Sequence, residues 1–254
     1  MDYYYFSILL ASLVIAFSLF VGLIKSEKLV VFILALFASI LLIWKIIEFT
    51  YYGLTHTGTY PIEISHISYF VFSVIILSGI KKLYFTGGIF AFISGCGYTL
   101  AGLVSPKSII TSLDFPIFVM GVISHMMLLL GGMLTLFKYS KYHLKYFYFP
   151  IIGLILACIL AYLAENHYIY PDATGLDNLV IIKLINGSIL SYLGVDLDNQ
   201  LLNWSVTILI FILVGALIFL INVFNNYLFK NKVDNHYNFG LLPLLQGNRI
   251  YKAK

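Results

Sequence analysis

The chain has 254 residues, of which 61% are hydrophobic and 10% charged, with a formal net charge of +4. This composition is typical of a polytopic membrane protein and argues against a soluble enzyme or a nucleic-acid-binding protein, because no polar stretch is long enough to build a separate globular core. We predict an all-α fold, with one bundle of about seven transmembrane helices in residues 1–229 and a basic cytoplasmic tail over 230–254.

Apolar runs predict membrane spans at about 4–24, 29–51, 62–80, 83–104, 115–137, 147–164 and 203–228. Most basic residues fall in alternate connections and in the tail. By the positive-inside rule, this asymmetry predicts a protein of the cell membrane with its amino terminus outside and its carboxyl terminus in the cytoplasm. An odd number of spans agrees with that orientation.

The connection between the sixth and seventh spans holds an amphipathic segment, residues 178–193, that is too short to cross a bilayer. We expect it to lie in the outer interface or to cover the mouth of a cavity. Glycines recur along the fourth span, and small residues let helices approach closely, so this span is predicted to pack tightly. These glycines are Gly87, Gly88, Gly95, Gly97 and Gly102.

Four ionisable residues stand within otherwise apolar runs: Glu48, Glu63, His66 and His125. Such groups are costly in a bilayer and often mark a working site. Glu48 lies about one turn below the outer end of the second span. Glu63, Ser65 and His66 lie in the first two turns of the third span, and His125 lies deeper in the fifth.

Structural roles for these residues remain open. Glu48 and Lys45 are three residues apart and can form an ion pair on one helix face. Glu63 can lie among headgroups, and His66 can hydrogen-bond across helices. Ser65 can donate to a backbone carbonyl of its own helix, as membrane serines commonly do.

Several motifs between about residues 44 and 192 occur in the order and spacing of a known family of membrane proteins. They are Glu48 near the end of the second span, then the stretches 60–66 (YPIEISH), 97–106 (GYTLAGLVSP), 118–125 (FVMGVISH) and 165–171 (ENHYIYP). In these motifs the chain resembles the YwaF family of bacterial integral membrane proteins. That family in turn resembles the eukaryotic transmembrane-protein-164 acyltransferases.

The resemblance implies a site as well as a fold. In the eukaryotic proteins, a cysteine at the start of the third span and the histidine of the fifth act as nucleophile and base. These roles fall on Ser65, which replaces the cysteine, and on His125, since a histidine is the usual base for a serine hydroxyl. Glu48, Glu63 or Asn166 would orient His125 or the lipid headgroup.

The resemblance therefore implies an enzyme of lipid metabolism that transfers or hydrolyses a fatty acyl group near the outer leaflet. Its partners would be membrane lipids, and it would need no cofactor. Two other readings stay open. The i, i+3 pair of Glu63 and His66, with His125 and Glu48, suits a metal-dependent membrane enzyme. Intramembrane acids and histidines also suit a non-catalytic carrier or receptor, for a solute or linked to protons.

Overall fold

The computed structural model describes residues 3–55, 61–107, 115–139, 141–170, 176, 179–188 and 200–229. Every regular element within these ranges is helical, so the all-α prediction is confirmed. The main helices are α1 (Tyr3–Leu23), α2 (Glu27–Thr55), α3 (Ile64–Ser78), α4 (Tyr84–Val104), α5 (Phe115–Leu134), α6 (Tyr148–Glu165), α7 (Val180–Ile185) and α8 (Gln200–Leu228). The tail predicted over 230–254 lies outside the described residues.

Six helices are long and apolar enough to cross a membrane: α1, α2, α4, α5, α6 and α8. The predicted third span corresponds to α3, which has only 15 residues. That is shorter than the ~20 residues of a usual spanning helix. Gly79 follows its last residue with φ of 77°, a left-handed conformation that glycine adopts without steric cost. The described chain thus has six apolar helices of spanning length, and α3 is an apolar helix of 15 residues.

The core lies where α2, α3, α4 and α5 meet. Leu34, Phe72, Phe85 and Leu128 come from these four helices in turn, and all are at most 1% exposed. The outward faces of α1, α2, α6 and α8 are instead exposed and apolar, with Ile47 at 64%. Exposed apolar faces around a packed centre are the pattern expected of helices that contact lipid.

The glycines of α4 allow a close approach to α5. A Cβ atom added at Gly95 would lie 2.6 Å from the Leu129 backbone, and one added at Gly132 of α5 would lie 2.6 Å from the Phe92 nitrogen. Gly97 has no atom within 4 Å of such a Cβ. The tight packing predicted for this span is therefore present at Gly95 and absent at Gly97.

Gly95→Ala is expected to destabilise the protein by about 1–3 kcal/mol, because its methyl group would push two backbones apart. Gly97→Ala is the matched control on the same helix. It is expected to be neutral or to stabilise by up to about 1 kcal/mol, because alanine favours a helix and here meets no neighbour. Thermal unfolding in one detergent measures both, and equal midpoints would contradict the close approach.

The amphipathic segment predicted over 178–193 includes the short helix α7. Ile181 and Ile182 are buried and pack with Ala157 and Ala161 of α6 and with Ile62 before α3. This part of the segment thus covers the C-terminal end of α6 and the N-terminal end of α3. Residue 178 and residues 189–193 of the segment lie outside the described part.

Candidate functional site

His125 is a polar centre of the interface among α3, α4 and α5. Its Nδ1 lies 2.7 Å from the carbonyl oxygen of Gly121, one turn earlier on α5. A carbonyl oxygen only accepts hydrogen bonds, so this contact indicates that Nδ1 carries the proton. In the neutral ring, Nε2 is then the nitrogen that can accept one.

Tyr69 brings α3 into contact with that ring. Its hydroxyl lies 3.1 Å from Nδ1 and 3.3 Å from Nε2 of His125. Besides the ring, the buried Tyr69 hydroxyl has the Ser124 side chain of α5 as a second partner. Because the Nδ1 proton is directed to Gly121, Nε2 is the ring nitrogen that can accept a hydrogen bond from the Tyr69 hydroxyl. This bond fixes His125 against α3, the helix that also carries Ser65.

Tyr98 of α4 covers one face of the His125 ring. The two rings are nearly parallel, with centroids 4.0 Å apart and planes 13° from each other. The Tyr98 hydroxyl is buried and has no hydrogen-bond partner among the described residues. It is close to Gly121, whose Cβ, if one were added, would lie 3.9 Å from it. A buried donor without a partner therefore lies beside the imidazole.

An ion pair on α2 adjoins this group. Lys45 is 4% exposed, and its Nζ lies 2.7 Å from Oε2 of Glu48. The same oxygen accepts a hydrogen bond from the Trp44 indole at 2.7 Å. The ammonium lies 4.5 Å from the centroid of the Tyr69 ring, a cation–π contact. Tyr69 thus links the ion pair to His125.

Ser65 lies on the stripe of α3 that faces α5. Phe72 faces Gly131, where an added Cβ would lie 2.7 Å from the Phe72 ring, and Tyr69 faces His125. Ser65 continues this stripe one turn before Tyr69, because residues four apart share a helix face. The described polar partners of the His125 ring are Tyr69 and Gly121, and Ser65 is not among them.

The other predicted residues, His66, Glu63 and Asn166, have partners other than His125. His66 meets Phe49 of α2 edge-on, with ring centroids 5.1 Å apart. Glu63 accepts hydrogen bonds from backbone amides at the start of α7, while its Oε2 is buried and has no partner among the residues that the structure describes. Asn166 donates to the Tyr162 carbonyl of its own helix at 2.9 Å. The structure joins Glu48 to His125 through Lys45 and Tyr69, whereas Glu63 and Asn166 bond elsewhere.

Two residues that contact His125, Tyr69 and Tyr98, were not predicted from the sequence. The chain has 20 tyrosines, so residue type alone does not single them out. The available signal was spacing, since Tyr69 follows Ser65 by four residues and so shares its helix face. Tyr98 offered no such signal, because its role depends on the packing of α4 against α5.

The described residues contain no group of three or more His, Cys, Asp or Glu side chains placed to hold a metal ion. Glu63 and His66 are three residues apart and so share one helix face. Glu63, however, accepts hydrogen bonds from backbone amides of α7, and the His66 ring packs against Phe49. The geometry therefore does not favour the metal-dependent alternative.

A cavity of about 460 Å³ lies between α6 and α8. Ile155 and Cys158 of α6 and Val214 and Gly215 of α8 are among its lining residues, and the lining is almost wholly apolar. Its volume falls in the range of ~300–1,000 Å³ that is usual for small-molecule sites. None of the residues around His125 lines this cavity, so the cavity is separate from the candidate site at His125.

A comparison of the chain with family models, with curated proteins and with solved structures finds no match in any of the three.

Proposed function

We propose that this chain is a membrane enzyme that transfers or hydrolyses a fatty acyl group of a membrane lipid, with Ser65 as nucleophile and His125 as general base. The observation that carries the proposal is the contact of His125 Nδ1 with the Gly121 carbonyl oxygen at 2.7 Å, which makes Nε2 the basic nitrogen. Nε2 lies 3.3 Å from the hydroxyl of Tyr69, one turn after Ser65 on α3. A neutral imidazole with a fixed orientation is what a base for a serine hydroxyl requires.

The register of two helices supports Ser65 as the nucleophile. Ser65 precedes Tyr69 by one turn on α3, and Gly121 precedes His125 by one turn on α5. In the proposed topology both helices enter the bilayer from the same side, so these two residues share a depth, about 6 Å from the contact between Tyr69 and His125. Hydrogen bonds between a nucleophile and its base are often loose before substrate binds. With the substrate present, the Tyr69 hydroxyl would turn from Nε2 to its other partner, the Ser124 side chain, and Ser65 would engage Nε2 instead.

The reaction proceeds in two balanced steps. Nε2 of His125 takes the proton of the Ser65 hydroxyl while Oγ attacks the ester carbonyl carbon. The bond to the leaving alcohol then breaks, and that alcohol takes the proton from Nε2. In the second step an acceptor alcohol or water gives its proton to Nε2 and displaces Ser65, which regains its hydrogen.

The proposal includes a seven-span topology in which α3 is the third crossing, the amino terminus is outside and residues 230–254 are cytoplasmic. Lys138, just after α5, donates to the Gly22 carbonyl at the end of α1 at 3.1 Å, so the end of α5 lies beside the end of α1, where Lys25 and Lys28 follow in the sequence. Such clustering at one end of the bundle suits the cytoplasmic side. Terminal tags that are accessible from the same side of the membrane would contradict this topology.

A lipid substrate follows from access and composition. The exposed faces of the bundle are apolar, and acyl chains reach a site between membrane helices by lateral diffusion. The ionisable residues Lys45, Glu48 and His125 also support a functional site, because ionisable groups inside a bilayer are usually functional.

Labelling with a lipophilic fluorophosphonate tests the nucleophile. Ser65→Ala and His125→Ala are each expected to abolish labelling of the purified protein, and Ser65→Cys is expected to keep turnover of a fatty acyl ester. Ser68→Ala is the matched control, because the Ser68 hydroxyl donates to the Ile64 carbonyl at 2.6 Å and is a structural serine on the same helix. Labelling should be unchanged in Ser68→Ala.

The double variant Ser65→Ala/His125→Ala is expected to be no worse than either single variant, since a nucleophile without its base is already almost inactive. Full ester turnover in Ser65→Ala would refute the acyl-enzyme.

The continuous contact from Glu48 through Lys45 and Tyr69 to His125 favours a second candidate, a proton-linked carrier. A carrier would move a solute across vesicles and lose transport in His125→Ala while tolerating Ser65→Ala. The enzyme would lose its turnover in both variants.

A further inference from the structure

We propose that the Tyr98 hydroxyl is the hydrogen-bond donor that stabilises the oxyanion formed during acyl transfer, an inference that rests on the proposed function. It assigns to Tyr98 a catalytic role at the reacting carbonyl. The starting point is the buried Tyr98 hydroxyl, which has no hydrogen-bond partner within the described chain. Most buried polar side-chain atoms are hydrogen-bonded, so an unpaired donor beside a candidate base needs an explanation.

The two tyrosines around His125 differ in this respect. The Tyr69 hydroxyl lies within hydrogen-bond distance of the imidazole, at 3.3 Å from Nε2. The Tyr98 ring stacks on the imidazole face at 4.0 Å, so its hydroxyl projects beyond the ring and leaves both ring nitrogens to Gly121 and Tyr69. The Tyr69 hydroxyl is therefore bonded to the base, whereas the Tyr98 hydroxyl is available to donate to a bound substrate.

The position of this donor fits the reacting carbonyl. The Tyr98 hydroxyl is close to Gly121, which precedes His125 by one turn on α5. Ser65 precedes Tyr69 by one turn on α3, and Tyr69 contacts His125. In the proposed topology the nucleophile and the free donor thus lie at one depth, on the same side of His125. A carbonyl attacked by Ser65 would develop its negative oxygen in this region.

The chemistry of the donor suits this role. Tyrosine hydroxyls are among the side-chain groups that form oxyanion holes, and a donor held in place before the reaction needs no reorganisation when charge develops. Tyr98 donates a hydrogen bond and keeps its proton throughout, so the proton balance between Ser65 and His125 is unchanged. The Tyr98 ring adds a second effect, because an imidazolium formed over its face is stabilised by a cation–π interaction.

The stability of Tyr98→Phe separates a functional hydroxyl from a structural one. Phenylalanine keeps the stacked ring and removes only the unpaired hydroxyl, so the unfolding midpoint should stay the same or rise. Tyr69→Phe removes a paired hydroxyl and should lower the midpoint. A clear loss of stability in Tyr98→Phe would show that its hydroxyl has a structural partner, and would overturn the proposal.

The kinetic test uses a 4-nitrophenyl ester of a medium-length fatty acid and the full-length purified protein in detergent. Tyr98→Phe is expected to lower kcat about 10²–10³-fold with little change in KM, since an oxyanion donor acts only in the transition state. Tyr98→Leu should lower kcat further, because it also removes the stacked ring.

Ser94→Ala is the matched control. Ser94 is one turn away on α4, and its hydroxyl is also buried without a partner among the described residues. This variant should keep both kcat and stability.

The outcomes separate the two proposals. If Ser65→Ala is inactive while Tyr98→Phe turns over within about twofold of the wild type, the oxyanion role is wrong and the proposed function stands. If Ser65→Ala retains full turnover, or the wild type has none, the proposed function fails and the role of Tyr98 fails with it. A fall in kcat with KM and stability preserved supports both.

Discussion

Glu48→Met is expected to destabilise the protein by about 3–5 kcal/mol, because it leaves the buried ammonium of Lys45 without its counter-charge. The Lys45 ammonium lies 2.7 Å from the Glu48 carboxylate. Lys45→Met is expected to cost less, since the Glu48 side chain is 25% exposed and Lys45 only 6%. Guanidinium or thermal unfolding in a single detergent measures the free energy of unfolding of both variants.

The double variant Lys45→Met/Glu48→Met provides the decisive comparison. Replacement of a whole buried ion pair by apolar residues is often neutral in stability. We therefore expect the double variant to recover most of the loss seen in Glu48→Met. A double variant as unstable as the sum of the single variants would show that the two charges do not stabilise each other.

The same double variant decides whether the ion pair is structural or functional. A stable double variant with normal ester turnover assigns the pair to packing alone, which was one of the readings left open from the sequence. A stable double variant with reduced turnover assigns it to the chemistry, through the cation–π contact of Lys45 with Tyr69 and the bond of Tyr69 to His125.

The helices were largely predictable because hydropathy reports directly on burial in lipid. The runs predicted at 4–24, 29–51, 83–104 and 147–164 match α1, α2, α4 and α6 within a few residues. The third run, 62–80, gave a helix of 15 residues instead. The regular helix begins at Ile64 and is followed by Gly79, whereas apolar residues continue on both sides, so hydropathy alone does not give its limits.

The candidate site was predictable only in part, because spacing along one helix is visible in a sequence and packing between helices is not. The i, i+3 relation of Lys45 and Glu48 predicted their ion pair, and the structure contains it. The approach of His125 to α3 does not follow from spacing along either helix, and in the structure Tyr69 makes the contact. Tyr98 reaches His125 only because α4 and α5 come together at Gly95 and Gly132.

A second network, distant in sequence from Ser65, joins the C-terminal ends of α5 and α8. After Leu134, α5 continues through a π-helical turn over Thr135–Tyr139. Asn225 of α8 is fully buried and donates to the Leu136 carbonyl at 2.6 Å. Its Oδ1 accepts the backbone N–H of Tyr142 at 2.9 Å. One side chain thus satisfies a carbonyl at a helix end and an amide in the following connection.

Asn225→Leu is expected to lower the free energy of unfolding by about 1–3 kcal/mol for each of the two backbone groups that it leaves buried and unpaired. Leucine has a similar size, so the loss would report hydrogen bonding rather than a cavity. Asn225→Asp should fall between the wild type and leucine. A protonated aspartic acid keeps an acceptor for Tyr142 and can donate its O–H to the Leu136 carbonyl, so its cost is that of staying protonated at a buried site.

Ser205→Ala is the matched control on the same helix, because its exposed hydroxyl donates only to the Leu201 carbonyl one turn away. Its effect should stay within about 0.5 kcal/mol of the wild type, as for most exposed sites. Amide hydrogen exchange adds a local readout. The Tyr142 amide should exchange faster in Asn225→Leu, because its acceptor is gone, and should stay protected in Asn225→Asp. If Asn225→Leu leaves both the stability and the Tyr142 amide unchanged, Asn225 does not join α8 to α5.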